Sequence, residues 1–582
     1  MRALPLAVSL TGFLLIAGCA DADKAEMSEP PTVGVTGSRA AAAGFAKEGW
    51  FGSADGLHAR VEIKGVERRG AKAVLNYTVT SLDTTTKSVP FAIELLDPVG
   101  RKLYKPTGST SGAAFAPGAA REMAAEYPAL PQNVQKITAI TPGTAGEFTG
   151  IPVTNGSSAA PGGGSNPGGG SVPGGGSAPP TGFTPPPGFT PPPGFSLPPG
   201  FSPPPGFSLP PGFSPPSGFA QPNGGATPNG YRSSDGYDPY AASAPSPLSP
   251  PPTTPSPRTT PSTTPSSGTT PPVTGAGENP VDLYDLTESE VKNVASSAST
   301  MTLDLRADVL FDGGSAKPSS RAKAVLDEAA QQIKAKATGP LTFSGHTDAK
   351  GDGAQNQKLS GQRADAVLKE LKKRLGNTFT YTAHGKGGTD PVAKEGGADD
   401  ARARARNRRV EISYQVKQTA TGTTPGATGA PGSSGSPAAF RAQDGKTVAS
   451  RSVRFGAAKR RLDVKPFYRD GAYIVAVFEI VNEGPGPTPP DASYAHTDYP
   501  GGVFTSFSVQ VPGGKDVYRA VRVGPRTPGG PSVYVGPGRA VFRTAVGQPV
   551  RGFVYLPAPP GNVTSVAFDG GPFGKVDRVP VS

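Results

Sequence analysis

The sequence predicts a multidomain chain. A central α/β (α+β) domain, ordered βαβαβαβ with its helices on one face of the sheet, lies between two all-β sandwich modules, joined through long disordered Pro/Gly linkers. Three observations predict it. Gly and Pro supply 79 and 69 of the 582 residues, about a quarter of the chain where about 12% is usual, so a single packed globule is excluded. The excess is concentrated over 154–280 and again over 418–437. Elsewhere apolar residues alternate with period two over 45–153 and 438–582, and with mixed periods over 282–417.

In chain order, residues 1–18 have the form of an export signal peptide. Arg2 supplies a positive start, and the apolar run from Leu6 to Ile16 falls short of the roughly 20 residues that span a bilayer. The run ends in Leu15-Ile16-Ala17-Gly18-Cys19, and Cys19 is the one cysteine of the chain. Small residues at 17 and 18 admit a peptidase, and a thiol can accept an acyl-bearing group. This resembles the lipobox of bacterial lipoproteins, which implies lipid attachment at Cys19 and a membrane held through acyl chains. An ordinary signal peptide with an incidental cysteine is the plainer alternative.

The first module, 45–153, shows short alternating runs such as Ala59-Arg60-Val61-Glu62-Ile63, separated by Gly and Pro, the pattern of an antiparallel sandwich. The linker 154–280 opens Gly/Ser-rich. It then repeats Gly-Phe every six residues from Gly182-Phe183 to Gly218-Phe219 with Pro-Pro spacers. A period of six in polyproline II sets each Phe on one face, either a sticky stripe or a duplicated spacer that would reach across part of the envelope. The last module, 438–582, reads like the first and echoes it. Asn133-Val134, Ile137 and Ile151-Pro152-Val153 correspond to Asn562-Val563, Val566 and Val579-Pro580-Val581.

Within 282–417, Thr302–Phe311 reads as a strand, and Pro318 stands at the first turn of a helix. That helix carries the stripe Ala322, Val325, Leu326, Ala329, Ala330 and Ile333. Leu341–Gly345 is a second strand. A helix follows with Ala364, Val367, Leu368, Leu371 and Leu375 on one face, then strands Phe379–Ala383 and Val410–Val416 with an Ala/Arg helix, Asp399–Arg408, between them.

Composition excludes several functions. The net charge is +12 with 18% charged residues, and few aromatics interleave the basic ones, so no nucleic-acid groove is expected. One Cys and four His leave no multi-cysteine metal site, and no metal or other cofactor is expected. There is no His-Glu-x-x-His, no Gly-x-Ser-x-Gly elbow and no phosphate loop, so catalysis is not expected. His346, just past the strand that ends at Gly345, reads as a loop residue with no further metal ligands beside it. Arg402, Arg404 and Arg406 read as a solvated basic face, or as an attractor for anionic wall polymers.

Five segments then take on a common meaning: Asp308-Val309-Leu310-Phe311; Gly345-His346-Thr347-Asp348; Asn356-x-x-Leu359-Ser360-x-x-Arg363-Ala364; Gly385-Lys386-Gly387; and Asn407-Arg408-Arg409-Val410-Glu411-Ile412. In order and spacing this resembles the OmpA-like peptidoglycan-associating domain shared by OmpA, Pal lipoproteins and MotB stators, over about a fifth of the chain. The resemblance implies non-covalent binding of peptidoglycan through the diaminopimelate of its stem peptide. It implies Asp348 for the ligand ammonium, Arg363 for its carboxylate, and Asn356, Arg408 and Thr347 as further contacts. A planar guanidinium suits a carboxylate because its fork binds both oxygens. Without the resemblance, Asp348 and Arg363 would read as a structural ion pair. The implied protein is lipid-anchored in the cell envelope: at the outer membrane of a Gram-negative cell, or at the outer face of the plasma membrane and the wall of an actinobacterium. The alternative is an envelope scaffold whose sandwich modules bind a protein or polysaccharide partner, the central domain only localising it.

Overall fold

The computed structural model describes residues 44–52, 56–108, 112–156, 279–397, 399–417, 435–488, 492–527, 530–537 and 545–582. The signal peptide, Cys19, the Gly-Phe repeats and most of both linkers lie outside the described residues. Those described belong to one compact unit, 1–160 with 271–582.

Period-two alternation builds the first module. Strand Leu57–Arg69 buries Leu57, Ala59, Val61 and Ile63, and a bulge at Gly65 returns Val66 to the same core. It pairs with Phe45–Phe51 and Lys72–Ser81, and Lys72–Ser81 pairs with Ala120–Pro128. Strands Glu147–Asn155, Lys136–Ile140, Glu94–Asp97 and Lys102–Tyr104 form the second layer. One hairpin of the last module matches one of the first. Ile137 lies opposite Ile151 and Lys136 opposite Pro152. Val566 lies opposite Val579 and Ser565 opposite Pro580. Each hairpin breaks register beside these pairs.

The central segment has the strands β1 (Val281–Glu288), β2 (Lys292–Ser296), β3 (Thr300–Arg306), β4 (Ala337–His346), β5 (Tyr381–Gly385) and β6 (Arg409–Val416). Its helices are α1 (Ala322–Lys336), α2 (Gly353–Leu375) and α3 (Asp400–Asn407). Pairing runs β1-β2-β3-β6-β4-β5, antiparallel except for β4 with β5. The stripes of α1 and α2 pack on this sheet with Leu303, Leu305, Phe343, Val410 and Ile412. Three details differ from expectation. The strand expected to run to Phe311 stops at Arg306, and a helical turn, Ala307–Leu310, follows it. Pro318 precedes α1 instead of opening it: it bridges Phe311, and the Ser319 hydroxyl receives the Ala322 N–H. Strands β1 and β2 were not foreseen.

Strand β1 joins the segments. It pairs with Val517–Val523 of the last module and with Lys102–Tyr104 of the first, as well as with β2. An apolar cluster draws on all three: Leu96, Leu103 and Ile140; Leu283; and Tyr473, Val475, Val477, Val521 and Phe553. Buried charges reinforce it. Glu147 receives bonds from Arg551 at 2.6 Å and from the Tyr468 hydroxyl at 2.6 Å, and pairs with Lys47 at 3.4 Å. Glu288 is gripped by Arg406 and by Arg519, the latter at 2.6 Å.

The Pro/Gly insertion therefore does not hold the first module apart from the central segment. Thr154 and Asn155 still pair with Glu67 and Arg68, and the Gly156 N–H bonds the Arg68 carbonyl. At the far end, Asn279 exchanges two hydrogen bonds with the Lys105 backbone. Both ends are thus fastened to the first module.

Two outcomes follow. Replacing Glu288 by Ala leaves the largely buried Arg519 without its anion and Arg406 with Asp498 alone, and a loss of about 3–5 kcal/mol should appear in urea unfolding of the whole chain. The second concerns acid. Burial alone would raise the Glu147 and Glu288 carboxyls, but Arg551 with Lys47, and Arg406 with Arg519, outweigh it and hold each at about 2 against an ordinary 4.5. Their contribution is complete above pH 4.5 and is lost as pH falls from there through about 2. The Glu288→Ala penalty should therefore be constant from pH 7 to 5 and shrink below 4.5.

Candidate functional site

Helix α2 lies tight against the ends of β4 and β5 because two register partners, Gly345 and Gly385, have no side chain. A Cβ on Gly345 would overlap the Ser360 carbonyl, and one on Gly385 would press on the Gln357 carbonyl at 2.6 Å. Asp352 caps the helix, accepting the Gln355 N–H at 2.8 Å. Arg363 therefore sits well inside α2, not in its first turn, and its side chain is buried beside the loop after the Ala307–Leu310 turn. Its Nε donates to the Ser315 carbonyl at 2.9 Å, and its guanidinium lies 5.3 Å from the Phe311 ring centroid. Burial lowers the Arg363 pKa from its usual value, opposed by Asp308 and Asp348, with Arg408 adding repulsion. Among the described residues Arg363 makes no ion pair.

Asp348 follows β4. Thr347, buried, shapes that loop: its N–H bonds the Gly387 carbonyl at 2.9 Å, and its hydroxyl bonds the Asp348 carbonyl at 2.8 Å. The Asp348 carboxylate accepts Arg408 Nη1 at 2.6 Å and the Lys350 N–H at 3.2 Å. Asn356 donates to the Lys350 carbonyl at 3.0 Å, tying the start of α2 to this loop. Asp348, Asn356, Thr347, Arg408 and Arg363 thus come together at one end of the sheet.

Arg408 also binds a second carboxylate, that of Asp308. Its Nε and Nη2 fork onto Asp308 at 2.8 and 2.6 Å. Hydrogen bonds to Asp308 come first among the causes that raise its pKa. The neighbours of Arg408 in Asn-Arg-Arg do separate work. Asn407, fully buried, accepts the N–H groups of Val392 and Ala393 at 2.8 and 2.9 Å and donates to Glu395 at 2.6 Å. Glu395 in turn accepts the Ala349 N–H at 3.1 Å, which braces the Asp348 loop. Arg409 points to the sheet face away from the helices, near Glu411, Asp390 and Asp304 at 3.5, 3.7 and 3.7 Å.

Two expectations are corrected. His346 is no loop residue: it ends β4, pairs in register with Arg409 and is buried. Burial and then Arg409 push its pKa down to about 2, so it stays neutral. Of the α3 arginines, Arg402 is exposed and Arg404 partly so, but Arg406 is not solvated. Arg406 is buried against Glu288, Asp498 and the Tyr499 hydroxyl, Arg402 reaches Asp498 and His496, and Arg404 pairs with Asp400 within the helix. Their partners, apart from Asp400, lie far away in sequence, so an alternating Ala/Arg run gave no sign of them.

Known proteins match the part of the chain that contains most of these residues. Outer membrane protein A of Bordetella avium is 41% identical over 103 residues, 18% of this chain and 50% of that protein. Probable lipoprotein YiaD of Escherichia coli is 30% identical over 120 residues, 21% of this chain and 53% of that protein. Among solved structures, the peptidoglycan-associated lipoprotein from Burkholderia pseudomallei is 32% identical; the match covers 18% of this chain and 88% of that one, with a TM-score of 0.16. The chain spans between 15% and 53% of the length of the curated relatives it matches. Residues 310–407 match the OmpA family, and an OmpA-family domain therefore occupies part of this chain.

Proposed function

We propose that the protein is an exported, lipid-anchored envelope protein that binds peptidoglycan non-covalently by recognising diaminopimelate. The observation that carries this reading is a buried guanidinium, Arg363, with no ion pair among the described residues, in the same site as the carboxylate of Asp348. A zwitterionic ligand end needs one of each. Arg363 already gives Nε to Ser315, which leaves its two terminal nitrogens to receive a carboxylate. Asp348 takes the ammonium, and Asn356 and Thr347 keep its loop in place. The family match supports the wall as ligand, and the names of the relatives support an envelope address. The protein is a binder and not an enzyme, as the OmpA-family match indicates. Among the described residues no three His, Cys, Asp or Glu converge on a metal position.

The test uses the whole chain from residue 20 onward, because β1 binds the central segment to both modules. It should sediment with purified, protein-free sacculi, and free diaminopimelate should compete. Asp348→Asn and Arg363→Ala each remove a charge-assisted contact, typically about 1.5–3 kcal/mol, so affinity should fall roughly ten- to a hundredfold. Folded variants that sediment like the parent would place the wall contact elsewhere.

Lipid anchorage rests on Cys19, outside the described residues. In the native host, Cys19→Ser should release an unacylated protein into the soluble envelope fraction. A variant that stays with the membrane at unchanged mobility would overturn the anchor.

A further inference from the structure

One guanidinium in the site serves two carboxylates unequally. Arg408 meets Asp308 with both Nε and Nη2, at 2.8 and 2.6 Å, and meets Asp348 with Nη1 alone, at 2.6 Å. The bidentate pair is the stronger and the more demanding in geometry. Asp308 is also the more exposed partner, its side chain 47% accessible against 15% for Asp348. Strength and exposure therefore run opposite ways: the firmer grip falls on the carboxylate nearer to water. Asp348 is left with a single arginine contact on Oδ2, while its Oδ1 accepts the Lys350 N–H at 3.2 Å.

This division has a consequence for any cationic ligand group. Freed from Asp308, the planar fork of Arg408 would turn onto Asp348, occupy both of its oxygens and cancel its charge. We propose that Asp308 is a positioning residue of the binding site, drawing Arg408 aside so that Asp348 keeps an open face for the ligand ammonium. Asp308 need not touch the ligand; it acts through Arg408. The inference rests on the reading in which Asp348 receives the ammonium of diaminopimelate.

The test is a double-mutant cycle on the chain from residue 20 onward, with free diaminopimelate titrated calorimetrically and a crystal structure of Asp308→Asn as a ligand-free readout. Asp308→Asn should weaken diaminopimelate binding about tenfold, the worth of one charge-assisted contact. The same substitution in an Arg408→Gln background should change nothing, because no guanidinium remains to be held aside. In the crystal, Arg408 of Asp308→Asn should lie on both oxygens of Asp348. An Arg408 that stays put, an unchanged affinity, or a penalty that persists in the Arg408→Gln background would overturn the inference. The last outcome would mean that Asp308 touches the ligand or merely supports its loop. Failure of the underlying reading looks different: the parent would not bind diaminopimelate, or Asp348→Asn would bind like the parent. The crystal would still decide where Arg408 goes.

Discussion

The structure depends on a single strand. β1 hydrogen-bonds to segments from three parts of the chain and carries Asp282, Asp285 and Glu288, spaced by three. Each meets a cation brought from elsewhere: Lys102 at Asp282, Arg101 at Asp285 at 2.6 Å, and Arg406 with Arg519 at Glu288. Apolar packing through Leu283 would tolerate several arrangements, since it is not directional. Buried charges would not, because an unmatched one is costly. The ion pairs thus select one register and one placement of the modules, while the apolar cluster around Leu283 supplies burial. The effect reaches the site. Glu288 fixes Arg406 near the end of α3, and Arg408, two residues on, enters the site from that fixed helix.

How much of this was legible depended on where a residue's partner lies. The α1 stripe could be read because its six apolar residues repeat at helical spacing and all are buried. The run from Ala472 to Asn482 reads as a strand on its apolar residues, and it carries a further signal. Ile474, Ala476 and Phe478 enter the core of the last module, while Tyr473, Val475 and Val477 enter the shared cluster. A strand apolar on both faces must be covered on both, which was a signal that this module packs on something else. β1 escaped notice for the opposite reason. Val-Asp-Leu-Tyr-Asp-Leu-Thr-Glu looks like an exposed segment until the cations that neutralise it are found, and Arg406 lies 118 residues away from Glu288.

The site shows the same limit. The family motifs put Asp348, Asn356, Arg363 and Arg408 on a short list, and the fold brings them together. Motifs do not say how a guanidinium divides its nitrogens. Arg363 could have been the partner of Asp348, as charge alone suggests; instead Arg408 holds Asp348, and Arg363 leans on the Ser315 carbonyl and the Phe311 ring. The unliganded site is thus balanced, two carboxylates against two guanidiniums, and a zwitterion can enter it without changing its net charge. Under the proposed reading, a ligand carrying only one charge would leave an uncompensated group, so selection for a zwitterion would rest on the count of charges as well as their placement.

The fastening of both ends of the Pro/Gly insertion to the first module bears on reach. A long spacer would separate lipid from wall only if it lay between the anchor and the binding domain. Here the chain leaves the first module at Gly156 and returns at Asn279, so the central segment stays against that module however long the excursion is. In the proposed tether the reach falls to the stretch between Cys19 and Gly44. Roughly 24 residues extend at most about 85 Å, at 3.3–3.6 Å each, far less than the reach of roughly 120 residues of polyproline II at about 3.1 Å each. In that tether the length of the insertion would not set the distance at which the wall is held.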